Sequence, residues 1–187
     1  MVEQTNGTLD ENRIIYVSGD FNESMAKTIC TKLLEFDCKS PGTDILMVID
    51  SRGGALDSFI AIHDMMEIIE SDVATLCIGK AASCGQMLLM SGAKGKRFIT
   101  RNSRIFIHEI SGGMAGKARE IEIHSKEMKR LQANVSKMIL KYTNLTKKQL
   151  DDIFNTDEYY NAIDSKKLGF VDHIITNVGS VFKYLSN

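Results

Sequence analysis

Apolar positions recur along this chain in two rhythms that take turns. Residues 44–49 and 73–78 are almost continuous apolar runs, each followed by a small-residue bend and then by apolar positions at helical spacing. A short continuous run between helices predicts a strand buried on both faces, as in a parallel sheet. After the first run the bend is Asp50-Ser51-Arg52-Gly53-Gly54, and a helix is expected through about residue 70, with Leu56, Phe59, Ile60, His63, Met66 and Ile69 along one side. After the second, Gly79 and the pair Ala81-Ala82 lead to Ser83, and a helix is expected over 85–90. Upstream, residues 13–17 read as a short strand and 22–36 as a helix, with Met25, Ala26, Ile29, Leu33 and Leu34 apolar and Asn22 or Ser24 as its cap. Pro41-Gly42 marks a turn.

Downstream, short strands are predicted at 97–100 and 104–107, the second delivering His108. The glycine-rich stretch 111–116 reads as flexible and separates that strand from a long helix over 118–142. Charges spread along this helix predict exposure over much of its length, supported by pairs such as Glu122 with Lys126. Its apolar residues Ile121, Met128, Leu131, Val135 and Met138 need a partner. Thr146 with Gln149 has the form of a capping box opening a further helix. Residues 157–160 read as a break, 162–168 as a short helix closed by Gly169, and 171–175 as a final strand. Repeated strand–helix units of this kind predict an α/β fold.

Composition narrows the class. A chain of 187 residues predicts one domain, taken as 13–187, behind a polar, acidic and flexible segment at 1–12 that lacks the pattern of a secretory signal. No apolar run approaches membrane-spanning length, so no membrane partner is expected and a cytoplasmic location is. A net charge of −1 gives no general attraction to nucleic acid. Cys30, Cys38, Cys77 and Cys84 show neither a redox pair nor zinc-ligand spacing; buried, reduced thiols are expected, with a Cys30–Cys38 bridge left open. No metal or organic cofactor is expected. The stretch Gly112 to Ala118 lacks one spacer and the hydroxyl residue of a phosphate-binding loop.

Candidate chemistry centres on Ser83, at the junction of a strand and a helix. Small neighbours Ala81, Ala82 and Gly85 leave room for a substrate, and the first amides of the following helix have no intrahelical acceptor. The plainer reading is an N-cap serine. Cys84 is a rival nucleophile, but adjacent side chains point in different directions, so only one of the two can face a given base. Among the histidines, His63 reads as core, His124 as solvated and His173 as undecided; His108 alone ends a buried strand beside a glycine-rich opening. A nucleophile–base pair also needs an orienting acid and amide donors. Asp151, Asp152, Asp157, Asp164 and Glu109 are all available as the acid, and the turn at Gly53-Gly54 and the amide of Cys84 are available as donors.

Five separated stretches resemble the ClpP family, the proteolytic subunits of Clp proteases. They are Asp50-Ser51-Arg52-Gly53-Gly54, Cys77-Ile78-Gly79-Lys80-Ala81-Ala82-Ser83-Cys84-Gly85, Ser91-Gly92-Ala93-Lys94-Gly95-Lys96-Arg97, Asn102-Ser103-Arg104-Ile105-Phe106-Ile107-His108 and Glu120-Ile121-Glu122-Ile123-His124. The resemblance implies Ser83 as nucleophile, His108 as base, Asp157 as orienting acid, and the amides of Gly54 and Cys84 as the oxyanion site. It also implies a crotonase-like βα superhelix whose long helix protrudes as a handle, homo-oligomers of two stacked heptameric rings, and a chamber for unfolded polypeptides delivered by an AAA+ unfoldase. The loop carrying Gly112 and Gly113 would lie beside an extended substrate.

The chain departs from the family pattern at Arg52, usually proline; at Glu109-Ile110, usually Gln-Pro; at Asn155-Thr156, usually a charged pair; and at Val48, often aromatic. Two other functions are alternatives for such a chain: a catalytically silent ring subunit that scaffolds active partners, and an acyl-CoA enzyme on the related crotonase fold.

Overall fold

The computed structural model describes residues 11–185. The expected flexible segment 1–12 lies outside the described residues except for its last two. In chain order the elements are β1 (Ile14–Phe21), α1 (Glu23–Lys39), β2 (Ile45–Gly54), α2 (Leu56–Ile68), β3 (Val73–Ala82), α3 (Cys84–Met90), β4 (Arg97–Thr100) and β5 (Arg104–Ile107). There follow α4 (Ala118–Tyr142), α5 (Lys147–Thr156), β6 (Glu158–Asn161), α6 (Ala162–Lys167), β7 (His173–Ile175) and α7 (Gly179–Phe182).

The strands β1-β2-β3-β4-β7 lie side by side, every neighbouring pair parallel. This is the α/β architecture that alternating strand and helix patterns predict. Asn22 caps α1 by accepting the Met25 N–H at 2.9 Å, and Thr146 and Gln149 form the expected reciprocal cap of α5. The larger core lies among α1, α2, α3 and one face of the sheet, around Phe21, Leu33, Phe59, Leu88 and Leu89. A smaller cluster covers the other face, where Val181 of α7 meets Leu46, Leu76 and Phe98.

On the side away from β2, strand β3 serves two neighbours in turn. Its first half pairs with β4 through Thr75–Cys77, and its last residues, Lys80 to Ala82, pair with β5. The change of partner falls at Gly79, whose φ of +65° is left-handed and whose missing Cβ would sit 2.9 Å from the Asp50 carboxylate. Asp50 then accepts the Lys80 N–H at 3.3 Å. The bend expected at Gly79 is therefore a change of direction inside a longer strand. The same holds for Asp50 to Gly54, which belongs to the end of β2 with an irregular register.

Two further expectations are corrected. Residues 157–160 are not simply a break, because Glu158–Asn161 form β6, antiparallel to β5. A Cys30–Cys38 bridge is ruled out: both residues lie on α1, eight positions apart, or about 12 Å along the axis, well beyond disulfide reach. All four thiols are free, and Cys38 is exposed rather than buried.

The sheet's β4 end is tied by a nearly buried ion pair. Arg97 meets Asp172 through two nitrogens, at 2.9 and 2.7 Å, and also donates to the Met90 and Tyr142 carbonyls. In α4 no residue is buried before Val135. Ile121 and Ile123, before that point, are 44% and 61% exposed. Among the described residues no helix is long and apolar enough to cross a membrane.

Candidate active site

Ser83 occupies the one-residue gap between β3 and α3 with φ 53° and ψ −124°. That is a left-handed conformation rare outside glycine and costs about 1–3 kcal/mol, so surrounding contacts must enforce it. Three do. The Ser83 N–H donates to the Phe106 carbonyl of β5 at 3.0 Å, and its own carbonyl accepts the Met87 N–H at 3.0 Å. On the third side lies Gly53, itself at φ +98°, where an added Cβ would stand 2.7 Å from both the Ala82 oxygen and the Ser83 Cβ. Gly53 is held by its N–H donating to the Ser51 hydroxyl at 3.1 Å. The Ser83 side chain makes no capping hydrogen bond. The plain N-cap reading is thereby set aside, since this hydroxyl is not spent on the helix.

Cys84 points elsewhere, as expected of an adjacent residue. Its Sγ lies 3.3 Å from the Gly54 carbonyl oxygen, to which the thiol donates. Burial pushes the thiol pKa up, with hydrogen bonding only partly opposing it. A buried, protonated thiol aimed at a backbone carbonyl is a poor nucleophile.

The bond from Ser83 to Phe106 brings the end of β5 alongside, and with it His108, two residues on. The His108 ring is half-buried and stacks on Phe106 at 5.4 Å between centroids, while Phe106 meets Tyr159 of β6 at 4.3 Å. The segment after His108 is tied to α4 by the Ile110 N–H donating to Gln132 Oε1 at 2.9 Å. Among the described residues the Gln132 amide nitrogen is buried without a partner. Gln132 was not a sequence candidate, because a glutamine on a charged helix reads as surface.

Gly54, Ser83, Cys84, His108, Ser111 and Val135 line one cleft of about 170 Å³. Asp157 does not line it. It is the C-terminal cap of α5, just before β6, with φ 53°, and its N–H donates to the Ile153 carbonyl at 2.9 Å. Ile107 pairs with Glu158, so His108 and Asp157 are the residues that follow and precede the last pair of this ladder. Gly112 and Gly113 belong to the exposed irregular segment after the cleft. Among the described residues the side chains of Ser83, His108 and Asp157 form no hydrogen bond with one another.

The other candidates are placed as well. His63 is buried and meets the Tyr142 hydroxyl at 3.1 Å, and His173 meets the Gly95 carbonyl at 3.1 Å, so both are structural. Asp151 pairs with Lys147, and Asp164 accepts from the Asn161 amide at 2.8 Å. Glu109 lines the cleft edge, and Asp152 is exposed on α5.

A serine held at a strained strand-to-helix turn, with a histidine across a cleft, is an arrangement of the class that serine hydrolases use. The chain belongs to the Clp protease family: the family model described as Clp protease matches residues 2–178 of its 187. Membership makes it, in general terms, a ClpP-type peptidase.

Proposed function

We propose that this protein is the serine endopeptidase subunit of a self-compartmentalising ring protease. Ser83 Oγ attacks the scissile carbonyl as His108 takes its proton; the proton then passes to the leaving amine, and water releases the acyl group by the reverse sequence. Asp157 orients and stabilises the imidazolium. The N–H groups of Gly54 and Cys84 receive the developing oxyanion. Gly112 and Gly113 offer backbone to an extended peptide, and the part of α4 before Val135 is the handle through which stacked heptameric rings of a single domain assemble. An AAA+ unfoldase in the cytoplasm would deliver unfolded chains.

The observation that carries this reading is the Ser83 backbone, held in a costly conformation with its hydroxyl free of any capping role. The test is an active-site fluorophosphonate together with a short peptide substrate. Labelling at Ser83, with cleavage lost in Ser83→Ala, is the expected result; labelling at Cys84 would reassign the nucleophile. A second reading, a silent ring subunit, draws support from the unjoined side chains of Ser83, His108 and Asp157. Apo hydrogen bonds in such sites are often loose and tighten with substrate. Peptide cleavage followed across a sizing column, with and without an unfoldase, separates the two: a particle that assembles yet never cleaves is the silent one.

A further inference from the structure

We propose that Gln132 is a positioning residue for peptide binding: its side-chain oxygen holds the segment after His108 against α4, so that the backbone of Gly112 and Gly113 is already laid out when an extended peptide arrives. The inference rests on the reading of Ser83 as nucleophile and of Gly112 and Gly113 as substrate-facing backbone, and it adds the group that keeps that backbone in place.

Between the end of β5 at Ile107 and the cap of α4 at Lys117 the chain has no regular structure. Its two ends are secured, one by the β5–β6 ladder and the other by the Lys117 N–H donating to the Glu120 carboxylate at 3.1 Å. Among the described residues, the one hydrogen bond that ties the stretch 109–116 to the rest of the chain is that from the Ile110 N–H to Gln132 Oε1, at 2.9 Å. Two positions on, Gly112 lies against the same helix: a Cβ added there would stand 3.4 Å from Cε of Met128. Met128 and Gln132 are about 6 Å apart along the axis of α4, close to the roughly 6.6 Å that two extended residues span. Segment and helix thus keep step over this stretch, Ile110 on Gln132 and Gly112 on Met128.

The amide is arranged for this bond. Turning its ends around would set the Gln132 NH2 against the Ile110 N–H, donor against donor, so the oxygen is the end that meets Ile110. Its nitrogen is then left buried without a partner, the one such side-chain atom among the described residues. A buried donor left unmet costs stability, so the compensating gain is sought at the other end of the group. Position 110 explains the need: where the family usually has proline, which carries no N–H, this chain has isoleucine, whose N–H requires an acceptor once the segment packs on α4. His108 has supports of its own in β5 and in its stack on Phe106. Loss of the anchor should therefore burden binding, by leaving the glycine segment for the peptide to order, and spare the chemical step.

The experiment measures kcat and KM for a fluorogenic peptide of several residues, and the rate at which a small fluorophosphonate labels Ser83, in wild type, Gln132→Met, Ile110→Pro and the double variant. With the worth of one neutral hydrogen bond lost, Gln132→Met should raise KM about fivefold and leave kcat and the labelling rate within about twofold of wild type. In an Ile110→Pro background the same change should move KM by less than about twofold, because no N–H remains to be held. A KM unmoved by Gln132→Met, or an equal rise in both backgrounds, overturns the inference. So does a fall in kcat and labelling with KM unchanged, which would make Gln132 a support of His108 instead. Should a variant fail to fold, amide hydrogen exchange on the wild-type protein decides: an Ile110 N–H that exchanges as fast as those of the exposed residues 111–116 overturns the anchor, and a slowed one supports it. Failure of the underlying reading looks different: wild-type protein that takes no label at Ser83 removes the nucleophile and this inference with it.

Discussion

The chain makes the same move twice at the same end of its sheet, turning from β2 into α2 and from β3 into α3, and it solves the two turns differently. At the first, Gly53 and Gly54 take φ values of +98° and +148° where no side chain would fit. At the second, Ser83 takes φ 53° although it carries a side chain. The first turn meets its backbone demand by deleting the Cβ, and the second keeps the Cβ and bears the strain. What differs is the support. Every residue of α3 is buried, and the Ser83 N–H is bonded to β5, whereas α2 has exposed residues along its length. Strain persists where surrounding structure over-determines it and a side chain is needed at that spot. The two turns also depend on each other, because the absent Cβ of Gly53 is the space in which Ser83 sits.

The largest effect expected from breaking this contrast is on activity alone. Ser83→Ala keeps the same backbone requirement and loses no helix-capping bond, so peptide cleavage should fall by about 10⁴-fold or more while the melting temperature stays within about 1 °C. A melting temperature that drops sharply would mean that the hydroxyl has a structural role.

Gly53→Ala attacks the other turn. Its Cβ would meet the Ala82 oxygen and the Ser83 Cβ at 2.7 Å in a left-handed backbone. Denaturant melts should show a loss of about 3 kcal/mol, with labelling of Ser83 lost as well.

The β4 end of the sheet provides a control remote from both turns. Asp172 is held below its ordinary pKa: burial alone would raise it, but hydrogen bonding and charge from Arg97, with the amides of Arg97 and Gly95, outweigh that. A depressed carboxylate contributes stability above its unfolded pKa and loses it as pH falls through the folded one, so wild type should weaken below about pH 4. Asp172→Asn, which leaves Arg97 buried and unpaired, should cost about 3 kcal/mol at pH 7 and flatten the acid limb of the stability–pH curve. Its effect should add to that of a variant at either turn, which a double mutant checks.

Ser83→Gly sharpens the comparison by making the second turn like the first. Relief of strain, less the added chain entropy of glycine, should raise stability by about 1 kcal/mol, or about 2–4 °C in a domain of this size, as labelling disappears. Smallest of all is Arg52→Ala. This residue joins β2 to β1 through an exposed pair with Asp20 at 2.7 Å, and removing it should shift stability by less than about 0.5 kcal/mol in thermal melts.

Much of this architecture was legible without coordinates. The long helix over 118–142, the strands at 97–100 and 104–107, the cap at Asn22, one of two residues the sequence offered, and the Thr146 box coincide with the observed elements because each depends on periodicity or capping within a few residues. The same local logic put Ser83 at a strand-to-helix junction and His108 at a strand end. It failed where the deciding partner is distant. Residues 157–160 offered no strand signal, since β6 exists only by pairing with β5, and the glycine at 79 read as an end because Asp50, which the bend wraps around, comes from another strand.

By itself, then, the sequence determined which segments form strands and helices and which residue types stand at their ends, because chain-local energetics settle those choices. Tertiary structure alone decided the conformation of Ser83, the aim of the Cys84 thiol at Gly54, the anchoring of the His108 segment by Gln132 and the seat of Asp157 between α5 and the strand that pairs with β5. Each of these is a contact between groups far apart along the chain, and such contacts acquire direction only when packing has closed the distance between them.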